Sequence, residues 1–199
     1  MVTSTKIHRQ HDSMGAVCKS YYQLTKPRII PLLLITTAAS IWIASEGRVD
    51  LPKLLITLLG GTLAAASAQT LNCIYDQDID YEMLRTRARP IPAGKVQPRH
   101  ALIFALVLGV LSFALLATFV NVLSGCLALS GIVFYMLVYT HLLKRHTPKT
   151  LSSVGLRVPF PLGGLGAVTG DLSWTPWVLF ALIFLWTPPL LGPGFDDQG

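Results

Sequence analysis

A dense group of charged residues lies between two apolar segments, and this arrangement limits what the chain can fold into more than any other feature. Residues 72–99 contain four of the ten acidic residues and five of the sixteen basic ones. The flanking segments, 54–74 and 101–120, are apolar and long enough to cross a bilayer as helices. Charge of this density at a membrane is costly to keep without a role, so we expect residues 72–99 to carry the function.

The composition is that of a helical membrane protein. Charged residues make up 13% of the 199 and apolar residues 52%, whereas soluble domains carry about 25% charged residues. We therefore predict an all-α fold, a multi-pass transmembrane helical bundle over 27–189. A polar, mostly disordered tail over 1–26 precedes it, and 190–199 form an aberrant tail. The predicted spans are 29–44, 54–74, 101–120, 126–143 and 174–186.

The second span carries a run of small residues that favours close helix packing. Gly60, Gly61 and the segment 64–68 present little side-chain bulk. Small residues let two helix backbones approach closely within a membrane. We therefore predict that another helix packs on this face, and that the second span continues as helix into the acidic cluster.

Basic residues predict the orientation of the chain in the membrane. The side opposite the charged loops holds only Arg48 and Lys53. Because basic loops are retained in the cytoplasm, we place there the N-terminus, the loop between the second and third spans, and the loop between the fourth and fifth spans. We therefore explain the net charge of +6 by the orientation of the chain and its contact with the lipid bilayer. It is not an indication of nucleic-acid binding. The cytoplasmic set is Lys6, Arg9, Lys19, Lys26, Arg28, Arg85, Arg87, Arg89, Lys95, Arg99, Lys144, Arg145 and Lys149.

Three oxygen-bearing side chains recur every four residues where the second span meets the cytoplasm. On a helix, Asn72, Asp76 and Asp80 would line one face, each about 6 Å along the axis from the next. Mg²⁺ accepts a partial set of such oxygen ligands and completes it with water and phosphate oxygens. Three arginines follow this row, namely Arg85, Arg87 and Arg89. The guanidinium group of arginine pairs with phosphate through two hydrogen bonds. The pattern therefore predicts a metal and diphosphate site at the membrane surface.

Simpler interpretations of the same residues stay open. The cluster could be a solvated helix end whose acids pair with arginines about one turn away. An unpaired Asn72 within an apolar span would then be costly. A calcium loop is excluded, because it needs glycine where Tyr81 stands and glutamate where Arg87 stands. Three histidines lie at loop edges, namely His100, His141 and His146. They are not part of a recognisable haem-ligation motif, so we do not interpret them as haem ligands.

Several motifs together resemble the UbiA-type intramembrane prenyltransferases. The pattern N-x-x-x-D-x-x-x-D over 72–80 is followed by R-T-x-x-R-P-I-P-x-G over 85–94. Three further segments carry the resemblance: L-T-K-P-R at 24–28, Y-T-H-L-L-K-R-H-T-P at 139–148 and T-G-D-L-S-W-T-P-W at 169–177. The chain is most similar to the branch of the family that transfers a farnesyl group to haem.

The resemblance implies a fold, a reaction and a set of site residues. The fold has nine transmembrane helices around a cavity, of which this chain would contain about five to six. Asn72, Asp76 and Asp80 would form the catalytic first aspartate-rich motif and hold Mg²⁺. The residues implied to contact the diphosphate are Arg85, Arg89, Lys144 and Arg145.

The implied reaction moves a farnesyl group from farnesyl diphosphate to a vinyl group of haem B, giving haem O. Farnesyl diphosphate, haem B and the bilayer are thus the expected partners, and a haem A synthase would act downstream. The implied location is the inner membrane of a bacterial cell.

Two segments depart from the family pattern. These are residues 150–161, within an atypical stretch over 150–166, and residues 190–199. We hypothesise that both are family sequence translated in a shifted frame. We therefore expect that Asp196 and Asp197 are not the second aspartate-rich motif of the family. We also expect little or no turnover by this chain alone. Resequencing the gene around the codons for Lys149 and Pro189 tests the frame shifts.

Two other functions stay open at this point. A prenyltransferase of the same superfamily could use a quinone precursor or chlorophyllide as the acceptor, and an assay that offers each acceptor distinguishes them. A function of another class is that of a non-catalytic membrane fragment that binds lipid or a partner helix.

Overall fold

Six helices make up the part of the chain that the computed structural model describes, which is residues 14–45, 47–84 and 86–136. The helices are α1 Met14–Leu24, α2 Ile30–Ala44, α3 Leu51–Tyr75, α4 Gln77–Glu82, α5 Pro98–Phe119 and α6 Val122–Phe134. The predicted all-α fold is confirmed, and α2, α3 and α5 agree with the first three predicted spans. Helix α6 corresponds to the start of the fourth, 126–143. The rest of that span, and 174–186, lie outside the described residues.

Prolines and polar caps set where these helices begin. Helices α2, α3 and α5 each have a proline in the first turn, where the missing N–H removes no helical hydrogen bond. At the start of α3, the Asp50 side chain accepts a hydrogen bond from the Lys53 N–H at 3.2 Å. At the start of α6, the Asn121 side chain accepts from the Ser124 N–H at 2.7 Å. The helix starts therefore follow from local sequence.

Helix α3 is the centre of the described bundle, because α1, α2, α5 and α6 all contact it. Its small-residue face packs against α5, which confirms the predicted close packing. A Cβ atom at Gly60 would lie 2.6 Å from the Leu116 side chain, so even alanine would force Leu116 to move. Two hydroxyls join the helices: Ser112 Oγ donates to the Gly60 carbonyl at 2.7 Å, and Ser67 Oγ donates to the Ala105 carbonyl at 2.8 Å.

Two apolar clusters hold the bundle together, and the second of them lies at the C-terminal end of α3. This second cluster joins Leu24 of α1, Cys73 of α3, Ile91 and Val96 of the loop 83–97, and Ala101 of α5. It fixes the end of α1 and the loop 83–97 against the C-terminal end of α3. The first cluster, which joins α2, α3 and α6, is Ile30, Leu33, Ala64, Ala65, Ala68, Ile132 and Tyr135.

Helices α3 and α5 are long and apolar enough to cross a membrane, and α2 and α6 are shorter but also apolar. The outer surface of these helices is apolar as well. Ile35, Trp42, Leu55 and Val110 each expose more than 60% of their surface. Large apolar side chains on the outside of a helical bundle suit contact with lipid rather than water.

Part of the N-terminal tail is ordered, so the prediction of a mostly disordered tail is wrong for Met14–Leu24. That segment forms α1, and Leu24 is fully buried in the second cluster. The ring of Tyr21 meets the ring of Phe104 edge to face, with centroids 5.0 Å apart. These apolar contacts order a segment whose polar composition suggested a tail.

The second span does not continue as one helix into the acidic cluster, so that prediction is also wrong. Helix α3 ends at Tyr75 and α4 begins at Gln77. Asp76 lies between them with φ −87° and ψ 7°, whereas helical ψ is about −42°. The chain therefore bends at Asp76, the middle one of the three predicted oxygen ligands Asn72, Asp76 and Asp80.

Candidate active site

The three predicted oxygen ligands lie together at the junction of α3 and α4. The Asp76 N–H donates to the Asn72 carbonyl at 3.0 Å, and the Asp80 N–H donates to the Asp76 carbonyl at 2.8 Å. Because each bond spans four residues, as in an α-helix, the three residues remain on one side despite the bend. Asn72, Asp76 and Asp80 are 3%, 1% and 3% exposed. Such burial does not fit a merely solvated helix end.

Asn72 links a cation to a carboxylate. Its Oδ1 accepts a hydrogen bond from Lys26 Nζ at 2.8 Å. Its Nδ2 donates to Oδ2 of Asp76, also at 2.8 Å. The buried amide therefore has a partner at both ends, as buried polar groups require, and its orientation is fixed. The oxygen faces Lys26 and the NH₂ group faces Asp76.

Asp80 is paired with Arg89. Nη1 of Arg89 lies 2.6 Å from Oδ2 of Asp80, a charge-assisted hydrogen bond. The carbonyl of Asp80 accepts from Oγ1 of Thr86 at 3.1 Å, which ties the start of the loop to α4. The Arg89 side chain stays 32% exposed. Part of the guanidinium therefore remains accessible to a ligand while one edge holds Asp80.

The loop 83–97 positions Arg89 through its own turn. The carbonyl of Pro90 accepts from the N–H groups of Lys95 at 2.9 Å and Val96 at 3.1 Å. Gly94 closes the turn with φ 72°, a left-handed conformation that glycine adopts without steric cost. Ile91, buried in the second cluster, anchors the loop two residues after Arg89.

The predicted diphosphate-contacting residues are only partly within the described residues. Arg89 is among the described residues, and its guanidinium contacts the Asp80 carboxylate. Arg85, Lys144 and Arg145 lie outside the described residues. Arg87, which lies between Arg85 and Arg89 in the sequence, stacks over the ring of Tyr81, with its Cζ 5.2 Å from the ring centroid.

Lys26 is a site residue that the sequence analysis missed, since it was assigned only to the cytoplasmic set. The loop between α1 and α2 brings its ammonium group to Asn72. Burial lowers the pKa of the Lys26 ammonium, while the carboxylates of Asp76 and Asp80 act in the opposite direction. The sequence signal that could have identified Lys26 was its place in the segment L-T-K-P-R. Lys26 stands directly before Pro27, and a following proline disfavours helical backbone at that position.

The donor set suits a hard divalent cation. The side chains of Asn72, Asp76 and Asp80 offer the oxygen ligands that Mg²⁺ prefers. Asn72 and Asp80 already hold the cationic groups of Lys26 and Arg89 at these oxygens. Within residues 14–45, 47–84 and 86–136, no group of three or more His, Cys, Asp or Glu side chains could hold a metal ion. Two carboxylates and an amide would therefore be a partial set that water or phosphate oxygens complete.

Comparison with known sequences identifies a family and several similar proteins. A profile of the UbiA prenyltransferase family matches residues 33–192. A protoheme IX farnesyltransferase of Synechocystis sp. is 90% identical over 191 residues, which are 95% of this chain and 60% of that protein. Proteins of the same name from Picosynechococcus sp. and Rippkaea orientalis are 72% and 70% identical over 93% of this chain, and over 59% and 58% of their own lengths. The chain thus spans about 60% of the length of these curated relatives.

Solved structures share the fold. A digeranylgeranylglyceryl phosphate synthase superposes with a TM-score of 0.71 at 24% identity, over 85% of this chain and 59% of that chain. A UbiA homologue from Archaeoglobus fulgidus bound to DMAPP and Mg²⁺ superposes with a TM-score of 0.68 at 19% identity, over 86% of this chain and 61% of that chain. At these identities the likeness establishes the fold.

Proposed function

The chain belongs to the UbiA prenyltransferase family, and from this premise we propose that it acts in the transfer of a farnesyl group from farnesyl diphosphate to a vinyl group of haem B, giving haem O. The family and the apolar helices make it an integral membrane protein. The bacterial inner membrane and a cytoplasmic N-terminus are part of the proposal. A downstream haem A synthase would consume the product.

One observation carries the proposal: a buried row of side-chain oxygens with a cation at each end. Lys26 contacts Asn72 at one end, and Arg89 contacts Asp80 at the other. A site that binds a metal–diphosphate complex needs both anionic ligands for the metal and cationic groups for the phosphate oxygens. The A. fulgidus homologue holds an allylic diphosphate and Mg²⁺, and the 90% identical relative is named for farnesyl transfer to protoheme.

The chemistry assigns a role to each of these residues. Asn72, Asp76 and Asp80 would hold Mg²⁺, which offsets the charge that builds on the departing diphosphate. The accessible part of Arg89 donates hydrogen bonds to the same diphosphate oxygens. The bond between C1 of the farnesyl chain and the diphosphate oxygen breaks, and a carbon–carbon bond to the vinyl group forms. The vinyl group is the nucleophile, so no protein nucleophile is needed. One water molecule then adds to the resulting carbocation as the hydroxyl group of haem O and releases one proton.

The test measures ligand binding and product formation by the purified chain in lipid nanodiscs. We expect farnesyl diphosphate to bind in a Mg²⁺-dependent manner, as measured by calorimetry. Binding is the first readout, because the atypical segments 150–161 and 190–199 lead us to expect weak turnover. Haem O formed from haem B is identified by its mass.

Matched variants separate a site effect from a general loss of charge. Asp76→Asn removes one buried anionic oxygen and should weaken farnesyl diphosphate binding by at least about tenfold, the effect of a charged hydrogen bond or ligand. Asp78→Asn, an exposed residue of α4, should leave the affinity unchanged. Equal affinity of Asp76→Asn and the unaltered chain would contradict the site assignment.

The acceptor is tested separately. Prenylation of a quinone precursor or of chlorophyllide, with haem B left unchanged, would overturn the haem assignment and keep the family chemistry. If no prenyl diphosphate binds with Mg²⁺ present, the chain fits the non-catalytic membrane fragment instead.

A further inference from the structure

The oxygen of Asn72 that would bind a metal ion is occupied by a side chain of the protein itself. An amide coordinates Mg²⁺ through its oxygen, because its NH₂ group is a donor only. In the structure that oxygen accepts from Lys26 Nζ at 2.8 Å. Rotating the amide by 180° would break both contacts, because the oxygen would then face Oδ2 of Asp76 and the NH₂ group would face the Lys26 ammonium. A metal ion on this oxygen would lie beside the Lys26 ammonium, and two positive charges that share one oxygen repel each other.

The backbone holds Lys26 in this position. Lys26 has φ 48°, in the left-handed region that a non-glycine residue rarely occupies. Such a conformation is strained and persists only where the surroundings impose it. On one side Leu24 is fully buried against α3, and on the other Ile30 packs at the start of α2. The short loop between these two anchors directs Lys26 to Asn72.

We propose that Lys26 is a built-in counter-ion that occupies the metal position on Asn72 until Mg²⁺ and diphosphate arrive together. The inference rests on the proposed function and adds the order and coupling of ligand binding. Mg²⁺ alone must displace a hydrogen-bonded ammonium from Asn72 and then remain beside that positive charge. The metal-free site is thereby kept neutralised, and Mg²⁺ by itself binds weakly.

Diphosphate reverses this penalty. Once Mg²⁺ takes the Asn72 oxygen, the partly buried Lys26 ammonium lacks an acceptor, which is costly. A diphosphate bound to the metal supplies acceptor oxygens of opposite charge to the displaced ammonium. Mg²⁺ and diphosphate should therefore increase each other's affinity, and Lys26 carries part of that coupling.

The experiment measures divalent-metal affinity with and without inorganic diphosphate. Mn²⁺ serves as the probe, because electron paramagnetic resonance counts free Mn²⁺ directly in a sample of the full chain in nanodiscs. In Lys26→Met we expect Mn²⁺ alone to bind at least about tenfold more tightly than in the unaltered chain, because one charged hydrogen bond no longer competes. The gain in Mn²⁺ affinity on adding diphosphate should fall by a similar factor.

Two further variants serve as controls. Lys19→Met removes the same charge from the exposed surface of α1 and should match the unaltered chain. Lys26→Arg keeps the charge and the donors and should retain weak binding of Mn²⁺ alone. Circular dichroism establishes that each variant keeps its helix content, and Lys26→Arg against the unaltered chain remains a valid comparison if Lys26→Met fails to fold.

The outcomes separate this inference from the proposed function. If Lys26→Met binds Mn²⁺ no more tightly than the unaltered chain, Lys26 does not compete with the metal, and the inference is overturned while the metal site stands. Tighter binding of Mn²⁺ alone by Lys26→Arg than by the unaltered chain also overturns it. Failure of the unaltered chain and all variants to bind Mn²⁺, with or without diphosphate, overturns the proposed metal site and the inference with it.

Discussion

Arg89 and Asp80 form an ion pair in which only one partner is buried. Nη1 of Arg89 lies 2.6 Å from Oδ2 of Asp80, and the side chains are 32% and 5% exposed. The pair joins the loop 83–97 to α4 beside the stripe of Asn72, Asp76 and Asp80. Because the carboxylate is buried and the guanidinium is not, loss of the arginine leaves a charge that water reaches poorly.

Arg89→Ala should therefore lower the free energy of unfolding by about 1–3 kcal/mol, the cost of an unsatisfied buried group. Thermal unfolding in detergent, followed by circular dichroism, measures the change. Arg87→Ala is the matched control, because Arg87 is exposed and its guanidinium lies over the face of Tyr81. A similar loss for both variants would show that the Asp80 contact contributes nothing of its own.

Gly60 should tolerate no side chain unless the Leu116 side chain of α5 moves. A Cβ atom there would lie 2.6 Å from Leu116, so Gly60→Ala should destabilise the α3–α5 contact by about 1–3 kcal/mol. Gly15→Ala, at a helical position with nothing within 4 Å, should be neutral or slightly stabilising. Adding Leu116→Ala to Gly60→Ala should restore part of the loss. An additive double variant would mean that the steric contact is not the cause.

Gly94 tests backbone conformation without steric contact. Its φ is 72°, and no atom lies within 4 Å of a Cβ built there. Gly94→Ala should therefore cost about 1–2 kcal/mol through the left-handed backbone alone. Gly94→Asn should cost less, since asparagine tolerates that region. Thermal unfolding of the two variants checks this order, and equal effects would contradict the explanation.

Much of the fold could be predicted from the sequence because its signals are local. The apolar runs of α2, α3 and α5 and the prolines at their starts depend on neighbouring residues only. The helix α1 could not be predicted in this way. Its order depends on burial of Leu24 among residues of α3, α5 and the loop 83–97, which are distant in sequence.

The candidate site likewise has residues that could be predicted from local sequence and residues that could not. The four-residue spacing of Asn72, Asp76 and Asp80 predicted one shared face, and Arg89 followed from its motif. The bend at Asp76 was missed, because a helical period does not report a local change of ψ. Lys26 was missed because 46 residues separate it from Asn72. The roles of Arg85, Lys144 and Arg145 remain predictions.

The sequence by itself determined that this chain forms apolar helices, and that one of them ends in a row of oxygen-bearing side chains. Periodicity and composition suffice for both, since they act between residues a few positions apart. Only the tertiary structure decided which cation faces which oxygen. Packing of the α1 end and of the loop 83–97 on α3 sets those pairings, and burial makes each of them costly to break.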